Sequence, residues 1–166
     1  MGRAREHGIR VGLIEPGPLN AITDVDGVAV GHANHAADHV GVTVVVPRAG
    51  EDHWLYPVAV GCAVLNGAGE VSGLAQIMEW GIAETPLFLT ATPYVGAVYD
   101  AAWQVLAERQ PRLGVDDVVI PMVAECDPSA YCDVRGGARP DVGLVARALD
   151  SAASGPVGEG QIGAGV

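Results

Sequence analysis

Positive charge is scarce in this 166-residue sequence: nine basic residues stand against twenty acidic ones, for a formal net charge of −11. Nucleic-acid affinity rests on clusters of Lys and Arg, so the acidic balance argues against a phosphate-binding surface. Charge of either sign is sparse too, at 17% against the ~25% usual for a soluble domain. Long hydrophobic runs are also missing. No stretch approaches ~18 uncharged apolar residues of helical character, so no membrane span is expected. The basic start, Met1 to Gly8, is followed by no apolar segment with a small-residue cleavage site, which argues against a secretory signal. Three cysteines, an odd number, make no disulfide framework and suit a reducing cytoplasm. There is no Gly-x-Ser-x-Gly elbow, no Walker loop and no dinucleotide fingerprint following a strand; Gly158-x-Gly160 lies in a glycine-rich stretch but lacks the basic residue and the following helix.

What is present is apolar and small. Hydrophobic residues make up 49% of a chain whose length fits one domain, residues 1–166. So much apolar surface with so few charges predicts contacts with further subunits. The organising stretch runs from Val58 to Leu74. An uncharged segment, Val58 to Leu65, reads as a buried strand. It meets Asn66, then a glycine-spaced turn ending at Glu70, then Ser72 as N-cap of a helix that stops near Gly81. Asn66 and Glu70 are either site residues held on a loop at a strand end or ordinary turn and cap residues.

In chain order, residues 10–20 read as an irregular lead-in and Ile22 to Gly27 as a turn. Strands are expected over Val28 to His32, Gly41 to Val46, Trp54 to Leu65 (beginning after Pro57), Thr85 to Thr90 and Asp117 to Glu125. Helices are expected over Ala97 to Arg109, with Val98, Ala101, Ala102, Val105 and Leu106 on one face, and over Asp141 to Ala153, with Val142, Val145, Ala146 and Leu149 on one face. Trp103, toward the polar side, is a candidate subunit contact. The alternation of strand and helix predicts a layered α/β domain. The glycine-rich stretch from Ser154 to Val166 looks like the middle of a loop or the approach to a strand. It reads as the product of a cut, as a fragment's end or as a flexible terminus.

Several constellations could carry chemistry. His32, His35 and His39 would share a helix face and could ligate a metal, but Gly31 and Asn34 disfavour a helix, leaving a surface loop as the plainer reading. Cys126 and Cys132 are too far apart for a zinc knuckle, and Cys126 has no histidine nearby in sequence to activate it. Glu125, closing a buried strand, needs a partner: either a ligand ammonium or a loop arginine such as Arg135 or Arg139.

Five stretches, in order, resemble the L-aminopeptidase/D-esterase–amidase family, which includes the beta-peptidyl aminopeptidases. They are Gly17-Pro18-Leu19-Asn20-Ala21-Ile22-Thr23-Asp24-Val25 with Gly27 to His32; Val64 to Glu70; Glu84 to Thr90 with Val95-Gly96; Val123-Ala124-Glu125; and Ser154 to Val157 with Glu159-Gly160 and Gly163 to Gly165. The resemblance implies an αββα sandwich, of which this chain is the N-terminal portion. It also implies self-cleavage freeing a serine or threonine nucleophile whose α-amine acts as base, with no metal or cofactor. The substrate would be a small peptide, amide or ester that loses its N-terminal residue. The nucleophile would come from a companion C-terminal segment, within an oligomer of processed pairs. Glu125 would hold the substrate ammonium, with Asn66 and Glu70 on the glycine loop near the site. Thr90-Ala91-Thr92 replaces the family's Thr-Asn-Thr, and Cys132-Asp133 an Asn-Asp pair. Asp127 stands where an aromatic oxyanion donor is expected, and Tyr131 is the candidate substitute. The alternative is a non-catalytic relative serving binding or assembly.

Overall fold

The computed structural model describes residues 2–35, 40–130, 132–135 and 137–165. Four strands form one mixed sheet in the order β1 (Ala29–Asn34), β2 (Gly41–Val46), β5 (Leu87–Ala91) and β6 (Met122–Cys126). The first three pair antiparallel, and β6 runs parallel to β5. A parallel neighbour needs a crossover. Here it is α2 (Val95–Arg109), entered through a short 3-10 turn carrying Pro93. The nine-residue helix α3 (Val142–Asp150) lies beside α2 and across β1 and β2. Asp141 caps it, its side chain accepting from Leu144 N at 2.7 Å.

The core lies between this helical layer and the sheet. Val42, Val44 and Val46 of β2, Phe88 of β5 and Val123 of β6 meet Val98, Ala101, Ala102 and Val105 of α2. The apolar face expected of α2 is therefore the one it buries. Trp103 of that helix is half-buried, its ring against the Gly114 turn. In α3 the buried residues are Leu144, Val145 and Ala148, while Val142, Ala146 and Leu149 only flank the core. The expected face is thus rotated, because the helix straddles β1 and α2 and its middle seam is the most enclosed.

The opposite sheet face is also apolar. Val45, Leu87 and Leu89 alternate with the core residues and remain half-buried. Part of that face is covered by α1 (Leu74–Trp80) and by the ribbon of β3 (Val58–Ala59) with β4 (Ile82–Ala83), where Ile77, Ala83, Val58 and Val60 gather around Met122 and Leu87. The described chain is thus an α/β fold of helices on a mixed sheet with a second, small sheet.

The stretch expected to form a central buried strand does not. Only Val58 and Ala59 pair, and Val64 and Leu65 are 58% and 96% exposed. An apolar run needs a neighbouring surface to bury against, and none of the described residues supplies one beyond β4. The helix after it begins one residue later than expected. Gly73, at φ 76°, is its N-cap, and Ser72 instead donates to Pro121 O at 2.6 Å while accepting from Val123 N at 2.8 Å. Gly81 closes α1 in the left-handed region as expected. The last strand starts at Met122 rather than Asp117, since Pro121 has no N–H for a ladder.

The glycine-rich stretch is docked on the sheet near its end. Gly163 and Ala164 are buried; Gly163 N donates to Asn34 Oδ1 at 2.8 Å and Ala164 N to Thr43 Oγ1 at 2.9 Å. Upstream, Thr23 Oγ1 donates to Gly155 O at 2.6 Å, and Asp24 accepts from Leu19 N and Ala21 N. The early Asn20–Asp24 turn and the late glycine run therefore brace each other.

Close approach makes one glycine indispensable. A Cβ on Gly31 would collide with Ala148 O and lie 2.7 Å from Ala152 N. Gly31→Ala is expected to cost about 3 kcal/mol, since backbone cannot rotate aside. Gly96→Ala, which meets nothing within 4 Å on an exposed helical turn, should add about 0.5–1 kcal/mol by restricting the unfolded chain. Denaturant midpoints of the two variants should move in opposite directions.

Candidate active site

Glu125 lies near the C-terminal end of β6, in register with Thr90. The free edge of β6 is not left bare. The segment 70–72 runs along it, with Glu125 N donating to Glu70 O at 3.1 Å, Ser72 N to Val123 O at 3.0 Å and Val71 bridging Ala124. That pairing draws the glycine loop against the carboxylate: a Cβ on Gly69 would stand 3.3 Å from Glu125 Oε1. A glycine admits the backbone to a distance that a side chain would spoil.

Glu125 Oε2 is buried and, among the described residues, has no hydrogen-bond partner. Neutralisation by a loop arginine is not seen among the described residues. Arg135 forks onto Asp133 at 2.9 and 2.7 Å, and among the described residues no arginine pairs with Glu125. A carboxylate oxygen out of water and without a donor is costly, and an incoming N–H would satisfy it.

The neighbours are assigned plainly. Asn66 Oδ1 accepts from Ala68 N at 2.9 Å, so this side chain shapes its own loop and is exposed. Glu70 contributes its backbone carbonyl to β6 while the residue is exposed. Asp127 Oδ1 accepts from Ser129 N at 2.9 Å; hydrogen bonds from Ser129 hold this exposed carboxyl below its usual range. Tyr131 lies outside the described residues. The loop it belongs to is pinned by Tyr94, whose hydroxyl donates to Val134 O at 2.6 Å. Burial, then the charge of Glu125, push the Cys126 thiol up, which disfavours the thiolate a nucleophile requires.

The histidine cluster does not form a metal centre among the described residues. His32 is on strand β1, not a helix, so His35 three residues on belongs to the other side of the chain, and His39 lies outside the described residues. His32 Nδ1 shares a hydrogen bond with Thr43 Oγ1 at 2.9 Å, the same hydroxyl that accepts from Ala164. His32 thus belongs to the anchorage of the glycine run. The sequence reading missed this role; the signal was the spacing of Gly41, Gly158 and Gly163, at which a Cβ would meet Gly163, His32 and Thr43.

This fold recurs in solved structures. A beta-aminopeptidase from Burkholderia sp. superposes with a TM-score of 0.84 at 42% identity, covering 98% of this chain and 47% of that one. The L-aminopeptidase D-Ala-esterase/amidase of Ochrobactrum anthropi, described as a prototype for the serine aminopeptidases and a variant of the Ntn hydrolase fold, gives 0.80 at 34% identity, with the same coverage of both chains. The α/β architecture of this chain is thus shared with about half of each of these two structures. Residues 20–166 match Peptidase family S58, and the chain belongs to that family. Beta-peptidyl aminopeptidase BapA of Sphingosinicella microcystinivorans is 37% identical over 177 aligned residues, spanning 99% of this chain. The chain spans 42% of that relative's length.

Two measurements test the site's electrostatics. If Glu125 is unpaired, Glu125→Gln should leave the denaturant midpoint unchanged or raise it; breaking a buried ion pair would instead cost about 3–5 kcal/mol. Burial holds His32 and His53 below their ordinary values, so the unfolded chain takes up those protons first as pH falls. Their contribution is complete above about pH 6.5 and is lost as pH drops from there toward the lower folded values. Midpoints compared at about pH 7.5 and 5.5 should show that loss, and His32→Gln should shrink it.

Proposed function

We propose that this chain is the N-terminal, α-type portion of an autoprocessed serine or threonine aminopeptidase-like hydrolase that releases N-terminal residues from small peptides, amides or esters. The observation that carries the reading is Glu125: a half-buried carboxylate with one oxygen unpartnered among the described residues, at a sheet end, beside a glycine backbone. That is an environment suited to a substrate α-ammonium. Membership of Peptidase family S58 supports the reaction class, and the 42% share of the relative's length supports a companion segment that carries the nucleophile.

In this mechanism Glu125 accepts hydrogen bonds from the substrate ammonium and fixes the scissile carbonyl relative to the sheet end. The companion's hydroxyl, freed together with its own α-amine by self-cleavage, loses its proton to that amine and attacks the carbonyl carbon. The tetrahedral oxyanion is held by N–H or O–H donors, with Tyr131 the candidate from this chain. Collapse expels the leaving amine, which takes up the proton, and leaves an acyl-enzyme that water hydrolyses. Asn66 and Glu70 serve by fixing the glycine loop against Glu125. The half-buried valine and leucine face of the sheet supports docking of the companion, and the exposed apolar residues support further oligomerisation. We place the assembly in the cytoplasm, with no metal or cofactor taking part.

A second reading is favoured by two specific residues. Ala91 lacks a side-chain amide and Asp127 has no O–H to donate, so a degenerate relative retained for binding or assembly would keep the fold without turnover. Co-expression of the chain with a companion segment bearing the Ser or Thr decides between them. The expected result is hydrolysis of an alanine anilide, with kcat/KM lowered about 10–100-fold or more in Glu125→Ala, the loss of a charge-assisted hydrogen bond. Equal rates for variant and parent would remove the amine-anchor assignment. A correctly assembled pair that hydrolyses nothing would favour the binding module.

A further inference from the structure

At the other end of the sheet from Glu125, a cavity of about 410 Å³ opens between the helical layer and the loop preceding β3. That volume is within the ~300–1,000 Å³ range of small-molecule sites. Its floor is apolar, supplied by Val46 of β2, Leu106 of α2 and Leu149 of α3. Its lining comes from the helix-covered side and from segments preceding β5 and β6, so it is separate from the half-exposed face offered to a companion segment.

Most polar groups around it are already committed. Asp52 Oδ1 accepts from Trp54 N and Leu55 N, and Asp52 Oδ2 accepts from Gln110 Nε2 at 2.6 Å. Arg109 pairs with Asp150 at 2.6 Å, and Glu51 with Arg48 at 3.2 Å. Two groups are not. His53 lines the cavity at 6% exposure, and its Nε2 is buried with no hydrogen-bond partner among the described residues. Glu84 also lines it; its Oε2 accepts from the neutral amide of Gln76 at 2.6 Å, and among the described residues no arginine offsets its charge.

We propose that this cavity is a binding site for a small organic ammonium ion with an apolar body, its N–H groups directed to Glu84 and His53 Nε2 and its hydrocarbon to Val46, Leu106 and Leu149. The charge of the walls sets the sign. With Glu51 paired to Arg48 and Arg109 to Asp150, Asp52 and Glu84 leave the walls negative, so a carboxylate ligand would be repelled and an ammonium drawn in. Burial keeps the His53 imidazole neutral near neutral pH, against the opposing pull of Asp52 and Glu51, and a neutral ring offers a lone pair to a donor. The apolar floor rewards the hydrocarbon, which a bare inorganic cation would not use. This site is independent of the catalytic reading at Glu125.

The test uses three isosteric probes on the 166-residue chain: 3-methylbutylammonium chloride, 3-methylbutan-1-ol and 3-methylbutanoate. Titration calorimetry is paired with the NMR signal of the His53 ring. The expected result is saturable one-to-one binding of the ammonium in the millimolar range or tighter, at least about tenfold stronger than either isostere. The His53 ring signal should move with the same isotherm. Glu84→Gln, which keeps the hydrogen bond to Gln76, should weaken the ammonium at least tenfold; Glu125→Gln should not change it. Equal binding of all three probes would reduce the cavity to an apolar void and overturn the proposal. So would a His53 signal that stays still, or binding abolished by Glu125→Gln and left intact by Glu84→Gln. The comparison among probes on the parent chain stands even if a variant fails to fold.

Discussion

The fold depends on a strand that is apolar on both sides. Gly41-Val42-Thr43-Val44-Val45-Val46 forms β2, second in the sheet, with Val42, Val44 and Val46 sealed under the helices and Thr43 and Val45 facing the other way. A strand of this kind has no face suited to water, so both sides must be covered. The helical layer answers one requirement completely. The other is met only piecewise, by the glycine run hydrogen-bonded to Thr43 and Asn34 and by α1 with its ribbon. The half-buried Val45, Leu87 and Leu89 lie between those two covers.

Much of the helix-side architecture was legible because it depends on local chemistry. The β-branched run stopped by Pro47 marks β2 without ambiguity, the 3.6-residue spacing marks α2, and Gly81 closes α1 in a left-handed conformation open to glycine. The failures share one cause. Val58 to Leu65 has the composition of a buried strand, yet composition reports only that a segment prefers burial, not that a partner lies within the same residues. The α3 face was misjudged because its seam is fixed by two neighbours at once, β1 and α2, and spacing in one helix cannot reveal that.

The site was legible in a different way. Glu125 stood out from sequence as an ionisable group at the end of an apolar strand, and its surroundings sharpen that: no arginine among the described residues answers it, and Gly69 crowds it. What sequence could not convey is how Asn66 and Glu70 approach. They do so through backbone pairing of residues 70–72 with β6, and Asn66 spends its side chain on its own turn. The cavity beside His53 was wholly hidden, because its lining is gathered from residues scattered between Ala29 and Ala152.

The uncovered apolar residues carry a colloidal consequence. Leu13, Ile14, Val64 and Leu65 stand largely in solvent, on a molecule whose net charge is −11. Mutual repulsion between such polyanions opposes the sticking that these side chains would otherwise promote. Salt screens the repulsion and acid erases it, while neither weakens the greasy contact itself. Whether a preparation contains single molecules or clusters is therefore governed by the ionic history of the buffer as much as by the polypeptide.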